Sequence, residues 1–554
     1  MTEKRTSLLL SKRFSLALIC FAGCALCYAL RSNLSFAIVC MGCGAAHGTT
    51  EQQRQQPINE SDMAISRFRR QTNRSALIGH HDADVEQSLP VPLGPGEFDW
   101  SKQVRGQVLG AFFFGYLTSQ MLGGLLAARV GAKSVILCSM LTASLLSLFS
   151  PGAARMHVSL FILIRALLGF SQGVMFPAMH CLWSNWAPPL ERGLLTGVSY
   201  AGAQIGNVLV MPLSGVLCRH GFDGGWPSIF YLLGIAGLCW CLLWALTVAN
   251  TPQRHSSIGV EERQFIMESL GQRKDSEESV IRRPSRPIPI GAIVRSKAVW
   301  AILIGHFAGD WGAYMMALGL PSFLNDVLGM QMTSMGFASA IPYVAYFAVI
   351  NLGGHVTVRF VAATSAALNA ELSPVGNGIG TRWPSFFLLL ISFCPCGYDK
   401  LVITLLTLSI GISGFQYSGF VINYLDIAPE LAGLLLGLGN TLSCLAGFLG
   451  PILMGWLTPT GSKTEWLTVF GITELILVLG ALAFAVLASA DVQPWAKREQ
   501  TDDEEEEVIS GEPKTDQNMT DQDQMMINNS RKLPEQLLLL EDGTDQQQNA
   551  KDKI

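Results

Sequence analysis

The feature that most constrains this chain is the recurrence of apolar runs long enough to cross hydrocarbon. About 20 mostly apolar residues span a bilayer as a helix, and a helix satisfies every backbone N–H and C=O within its own segment. Twelve such runs occur, near 14–42, 105–127, 133–151, 157–183, 193–217, 227–249, 298–324, 335–354, 384–397, 401–424, 430–457 and 465–489. Charged residues make up only 14% of the chain and hydrophobic residues 49%, whereas soluble domains carry about 25% charged residues. Such a chain cannot cover itself with charge, so the expected fold class is all-α integral membrane.

Polar segments divide the runs. The N-terminal 1–13 carries Lys4, Arg5, Lys12 and Arg13, and the segment 250–297 is rich in Arg and Lys. The positive-inside rule places both in the cytosol. An even number of spans then puts both termini there, with the loop 43–104 in a lumen or outside. That loop contains the sequons Asn59-Glu-Ser61 and Asn73-Arg-Ser75, so Asn59 and Asn73 are expected glycosylation sites. Its own arginines, Arg67, Arg69 and Arg70 among them, argue the other way; the sequons and the parity of spans outweigh them. The expected domains are a six-helix half over 14–249, a cytosolic linker over 250–297, a second six-helix half over 298–490, and an acidic, disordered cytosolic tail over 491–554. The first run is too long for a cleaved signal peptide and carries Arg31.

No Gly-rich phosphate loop, HExxH or GxSxG is present, so the chain is not expected to be an enzyme. No cofactor or metal site is expected, and nothing points to nucleic acid. The 13 cysteines are scattered through apolar runs and are expected to be small buried hydrophobes rather than a disulfide framework.

The two halves repeat. "GGLLAAR" (Gly123 to Arg129) recurs as "GGHVTVR" (Gly353 to Arg359), and "APPLERGLLTG" (Ala187 to Gly197) as "APELAGLLLG" (Ala428 to Gly437). Repeated halves are the pattern of carriers that bind substrate between them near the midplane. Charged residues inside the runs are then candidates for the site, because an arginine at mid-membrane costs at least about 2.5–3.5 kcal/mol. Arg165 is one. At about 100° per residue, Gln172 lies roughly 20° from it and His180 roughly 60°, so all three are expected on one cavity face. Arg31, beside Tyr28 in "YALRSN", is the second, and a guanidinium holds a carboxylate through two bonds. Gln204 and Asn207 are expected to line the cavity from the fifth run. His306 and Asp310 lie together in "GHFAGDWGAY".

"GGLLAARVGAK" resembles the loop after the second helix of the major facilitator superfamily, usually G-x-L-A-D-R-x-G-R-K. Ala128 and Ala132 replace its acidic and first basic residues, while Arg129 and Lys133 remain. With Arg192, these are the expected gating-loop residues, their salt-bridge role weakened. "CYALRSNLS", "FPAMHCLWSNWAPPLERG", "SYAGAQIG", "INYLDIAPELAG" and "DVQPWA" are similar to sialin-like members of the organic anion transporter family. That family also holds vesicular glutamate and nucleotide transporters and sodium–phosphate cotransporters. The resemblance covers residues 14 to 496, apart from parts of the two large loops. It implies a twelve-helix major facilitator fold and an alternating-access carrier of small organic anions. It also implies a lysosomal or secretory-vesicle membrane, alternatively the plasma membrane, and a substrate contact for Arg31.

Two departures matter. Proton-coupled relatives carry glutamates on the fourth helix where this chain has Leu168 and Gln172. Glutamine has no titratable group in the physiological range. The coupling ion is therefore H+ or Na+, with transport driven mainly by membrane potential or another ion unless His180 replaces the carboxylate. The ninth run follows Pro374, Gly376, Gly378 and Gly380, so it is either short and irregular or disrupted by a mis-spliced segment. The first expectation is a carrier of acidic sugars or acidic amino acids. A sodium–phosphate or urate-like carrier, favoured by Gln172, and a transport-inactive scaffold or sensor, favoured by the broken ninth run, remain as alternatives.

The expected partners are the anion, the lipid and a sorting adaptor. The adaptor would read "EQLLLL", Glu535 to Leu540, an acidic dileucine pattern in the tail. Replacing Leu539 and Leu540 with alanine is expected to move the carrier from internal membranes to the cell surface, scored by imaging against compartment markers. An unchanged compartment would mean the motif is idle.

Overall fold

The structure is a computed structural model. It describes residues 8, 11–44, 94–270, 289–363 (side chains only to 351) and most of 384–496. The two sequons, the greater part of the linker, Gly353 to Arg359 as side chains, and the tail with its dileucine pattern lie outside the described residues.

Helices dominate. In the first half they are α1 (Lys12–Gly42), α2 (Lys102–Val130), α3 (Ala132–Met156), α4 (Val158–Gly173), α5 (Met175–Trp186), α6 (Arg192–His220) and α7 (Trp226–Thr247). The linker contributes a 3-10 turn (Pro252–Arg254), α8 (Val260–Ser269) and α9 (Ile290–Arg295). The second half has α10 (Lys297–Asp326), α11 (Met332–Ala363), α12 (Asp399–Ser413), α13 (Phe420–Ile427), α14 (Ala432–Leu457) and α15 (Lys463–Leu487). Two-residue strands β1 (Cys43–Gly44) and β2 (Gly94–Pro95) pair antiparallel at the base of the first loop.

Among the described residues, eight helical segments are long and apolar enough to cross a membrane, or nine when the two arms of α2, bent by 52°, count as one. The remaining sequence-predicted spans fall on α10, on the broken pair α12 and α13, and on a short helix over 386–391 that stops at Cys394. The prolines and glycines expected to disrupt the ninth run, from Pro374 to Gly380, lie outside the described residues. Residues 364–383 lie outside the described ones.

The fourth run is one span over Val158–Trp186, made of two helical segments that meet at Val174. Proline has no N–H, so Pro177 cannot bond to the Gly173 carbonyl one turn back, and its ring crowds that carbonyl. The repeat is visible in the fold: Ala187 follows α5 and leads into α6, while Ala428 follows α13 and leads into α14.

Small residues set how closely the helices pack. A Cβ on Gly202 or Gly206 would collide with the carbonyls of Phe21 or Ala25, so α6 lies directly on α1. The halves meet at the end that carries the first loop. There Lys102 of α2 forms an ion pair with Asp326 of α10, which also accepts a bond of 3.2 Å from the Trp466 indole. A Cβ on Gly110 would sit 2.7 Å from the Phe448 carbonyl, and one on Gly336 2.8 Å from the Met211 carbonyl. At the linker end, Cβ atoms on Gly193, Gly197, Gly433 and Gly437 would meet nothing within 4 Å among the described residues. The halves are closed at the loop end and parted at the linker end.

The cysteine expectation needs one correction. Cys40 and Cys218 form a disulfide. The reason is tertiary: the close packing of α1 on α6 brings their loop ends together, with Cα atoms 6.2 Å apart. At that end, Arg155 also bonds to Glu97 (2.6 Å) and Asp223 (2.8 Å). At the linker end, Glu262 of α8 caps α1 by accepting from the amides of Lys12 and Arg13, each at 3.0 Å. The Arg13 side chain reaches Glu191 at 2.6 Å. The linker helix, the start of α1 and the loop before α6 therefore form one polar joint.

Closure at the loop end depends on bare backbone at Gly106, where a Cβ would strike the Pro451 backbone. Gly106→Val is expected to widen label-to-label distances between α2 and α14 at that end and to lower uptake at least tenfold, with membrane insertion intact. Unchanged distances with near wild-type uptake would refute this reading of closure.

Candidate functional site

A cavity of about 110 Å³ lies between the halves. Its wall includes Tyr28 and Arg31 from α1, Gln204 and Asn207 from α6, Asp310 and Tyr314 from α10, and Ser409 from α12. Four sequence-predicted residues, Tyr28, Arg31, Gln204 and Asn207, thus reach one cavity. Asn207 is held by Ser32, whose hydroxyl donates to its Oδ1 at 2.6 Å.

Arg31 is the centre of the site. Its guanidinium lies 4.7 Å from the ring centre of Phe113 and 5.2 to 5.5 Å from those of Tyr314, Phe112, Tyr28 and Tyr116. Among the described residues no carboxylate pairs with it. Cation–π contacts contribute roughly 0.5–2 kcal/mol each, so the rings hold the charge without neutralising it. An anion entering the cavity supplies the missing counter-charge.

Arg165 and Gln172 lie behind this surface. Arg165 is 2% exposed and donates to the Arg31 carbonyl at 3.1 Å. Gln172 donates to the Cys27 carbonyl at 3.2 Å. Both grip α1 around Arg31 rather than line the cavity. The Nε and Nη1 of Arg165 and the Oε1 of Gln172 are buried with no hydrogen-bond partner among the described residues. An unmet buried donor costs about 1–3 kcal/mol, so this layer retains polar capacity for a state or ligand that satisfies it.

His180 is placed differently from the expectation. It is exposed and does not line the cavity. On the helical projection it already lies roughly 60° from Arg165 and 15 residues further along the span, toward the linker end. A chain of ring contacts still links it inward: His180 to Tyr200 (5.3 Å), Tyr200 to Phe176 (5.5 Å), Phe176 to Tyr28 (6.0 Å). Arg129, Lys133 and Arg192 form no ion pair among the described residues. Lys133 instead donates to the Ala245 carbonyl at 2.8 Å.

The opposite wall carries a network that the sequence reading had not assigned to the site. Asp310 Oδ2 accepts from the Ser443 hydroxyl and lies 3.4 Å from His306 Nε2. His306 Nδ1 is 3.0 Å from the Tyr424 hydroxyl. The four-residue spacing of His306 and Asp310 on one helix was the available signal. The cage rings of α2 and α10 had none, since they look like ordinary apolar positions. No group of three His, Cys, Asp or Glu residues that could hold a metal ion occurs among the described residues.

A charged hydrogen bond is worth roughly 1.5–3 kcal/mol, or ten- to a hundredfold in binding. Arg31→Gln is expected to abolish anion binding and uptake. Arg165→Gln is expected to cut uptake at least tenfold by releasing α1. Binding by nanodisc titration and uptake by liposome assay check both; near wild-type values for both variants would remove the arginines from the site.

Comparison with known proteins fits this geometry. A family model described as Major Facilitator Superfamily matches residues 86–451. An uncharacterized transporter, slc-17.2, of Caenorhabditis elegans is 45% identical over 494 residues, covering 88% of this chain and 93% of the relative. Sialin of Homo sapiens is 36% identical over 490 residues, covering 88% and 91%. Among solved structures, an inward-facing, unoccupied bacterial homolog of the human lysosomal transporter Spinster superposes with a TM-score of 0.58 at 14% identity. That match covers 86% of this chain and 97% of that one, and it shows the fold alone.

Proposed function

Because this chain belongs to the organic anion transporter family of the major facilitator superfamily, it is a multi-pass secondary transporter and not an enzyme, and we propose that its cargo is a small anion of the acidic sugar or acidic amino acid type. The observation that carries the proposal is Arg31: a caged guanidinium with no protein carboxylate, facing a cavity between two halves. The cargo carboxylate pairs with Arg31. Gln204, Asn207 and Tyr28 fix its polar groups, and the halves rock about it.

The linker face is the cytosolic one, by the positive-inside rule, so the parted end admits cargo from or to the cytosol. Asn59 and Asn73 then stand on the luminal side. The carrier works on a lysosomal or secretory-vesicle membrane, with adaptors reading the tail.

Coupling is assigned to protons. Gln172 carries none, and its amide holds the Cys27 carbonyl. His306 and Asp310 are two titratable groups in one hydrogen-bonded set, and Asp310 borders the same cavity as Arg31. Among the described residues the groups facing the pair include Tyr424, Ser443 and Cys444 from the second half and Tyr28 and Tyr314 at the cavity. Gln172 favours the rival outcome, transport driven mainly by membrane potential or another ion.

Proteoliposome uptake tests the reading. Sialate, glutamate, ATP, phosphate and urate are each offered with and without a pH gradient or a potential. Saturable uptake of sialate or an acidic amino acid is expected. Uptake of phosphate or urate alone would favour the rival carrier, and no uptake at all would favour the scaffold. Asp310→Asn is expected to remove the pH-driven part of accumulation; its persistence would place the proton elsewhere.

A further inference from the structure

The structure carries a second polar pocket, of about 400 Å³, at the linker face of the first half. It is far from the cargo cavity. Lys12 on its wall and Arg31 in the cavity are 31 − 12 = 19 residues apart on α1, or about 28 Å along a helix. Five segments distant in sequence converge there: Lys12 and Ser15 from α1, Lys133 from α3, Trp186 from α5, Leu246 and Thr247 from α7, and Arg254 to Ser257 from the start of the linker.

The charge is one-sided. Lys12, Lys133, Arg254 and His255 line the pocket and no acidic residue does. Lys133 donates to the Ala245 carbonyl (2.8 Å), and His255 Nε2 lies 3.0 Å from the Thr247 carbonyl; neither contact cancels a charge. Lys12 and Arg254 form no ion pair among the described residues. Glu262 touches Lys12 only through its backbone amide and is engaged by Arg13. Converging cations in a concave, partly dry site repel one another, and an anion relieves that repulsion. Ser256 and Ser257 on the same wall add hydroxyl groups, while the Ser15 hydroxyl donates to the Ser11 carbonyl at 3.2 Å.

The wall is also preset. The Trp186 indole is buried and donates to the Ala249 carbonyl at 3.0 Å, and the His255 ring packs edge-on against it at 5.5 Å. The Lys133 main chain is held on both sides: its amide donates to Asn250 Oδ1 at 2.7 Å and its carbonyl accepts from the Trp244 indole at 3.1 Å. The pocket opens beside lipid-facing surface, for Leu246 on its rim is 77% exposed and Leu242, one turn back on α7, is 64% exposed. Basic pockets where helices leave the cytosolic leaflet suit phosphorylated lipid headgroups.

We propose that this pocket binds an anion bearing several phosphate groups, presented by a phosphoinositide headgroup in the adjoining leaflet. Lys12, Lys133 and Arg254 take the phosphate oxygens, and the serines take the ring hydroxyls. The bound headgroup ties the start of the linker to α1, α3 and α7. The site is independent of what the central cavity carries.

The full chain in nanodiscs tests this by direct binding. Three preparations are compared: phosphatidylcholine discs with phosphatidylinositol 4,5-bisphosphate, discs matched in charge with phosphatidylserine, and phosphatidylcholine discs with soluble inositol hexakisphosphate. Binding of the phosphoinositide at least tenfold tighter than phosphatidylserine is expected. Lys12→Ala with Arg254→Ala should reduce that preference to less than twofold. Arg254→Glu alone, on an exposed turn, should do the same if the double variant unfolds. Arg129→Ala, an exposed basic residue outside the pocket, should leave it unchanged. Binding of the soluble phosphate as tightly as the lipid would support the phosphate chemistry and move its source to solution. No preference over phosphatidylserine, or a preference untouched by the pocket variants, would overturn the site.

Discussion

An arginine in hydrocarbon without a carboxylate partner is the constraint on which the rest of this structure depends. Arg31 could be neutralised by an acidic neighbour, but none of the described residues does so. Its charge is spread over five aromatic faces drawn from both halves: Tyr28, Phe112, Phe113 and Tyr116 from the first, and Tyr314 from the second. Burial of a charge with only partial compensation is tolerable where the missing partner is a ligand. It also makes the cage a sensor of how the halves are set, because one ring belongs to the other half.

The layer behind Arg31 explains why its position is held. Arg165 and Gln172 each donate to a main-chain carbonyl of α1. A second arginine is thereby used for geometry more than for cargo. Gly202 and Gly206 complete the frame by letting α6 lie against the α1 backbone, which also brings Asn207 to the cavity and Cys40 to Cys218.

The two ends of the molecule are built from different materials. At the loop end the halves are joined by bare backbone at Gly106 and Gly110 and by the Lys102–Asp326 pair. At the linker end Arg13 pairs with Glu191 and Glu262, tying the start of α1 to the loop before α6 and to the linker helix. The basic pocket shares α1 and the linker start with the joint, which places leaflet chemistry next to the segment connecting the halves.

The sequence by itself determined the solvent, the helical class and the repeat, because each is local: apolar length and motif recurrence are properties of consecutive residues. It also pointed to Arg31, since a charge in an apolar run is costly wherever that run packs. Only the tertiary structure decided which polar residues share a wall. A helical projection put His180 on the face of Arg165, yet it is exposed and is not on the wall of the cavity that holds Arg31. Conversely, Asp310, Ser443 and Tyr424, and likewise Lys12, Lys133 and Arg254, are brought together by helix packing across more than a hundred residues of chain. Their convergence is a matter of through-space distance, which no spacing along the chain encodes.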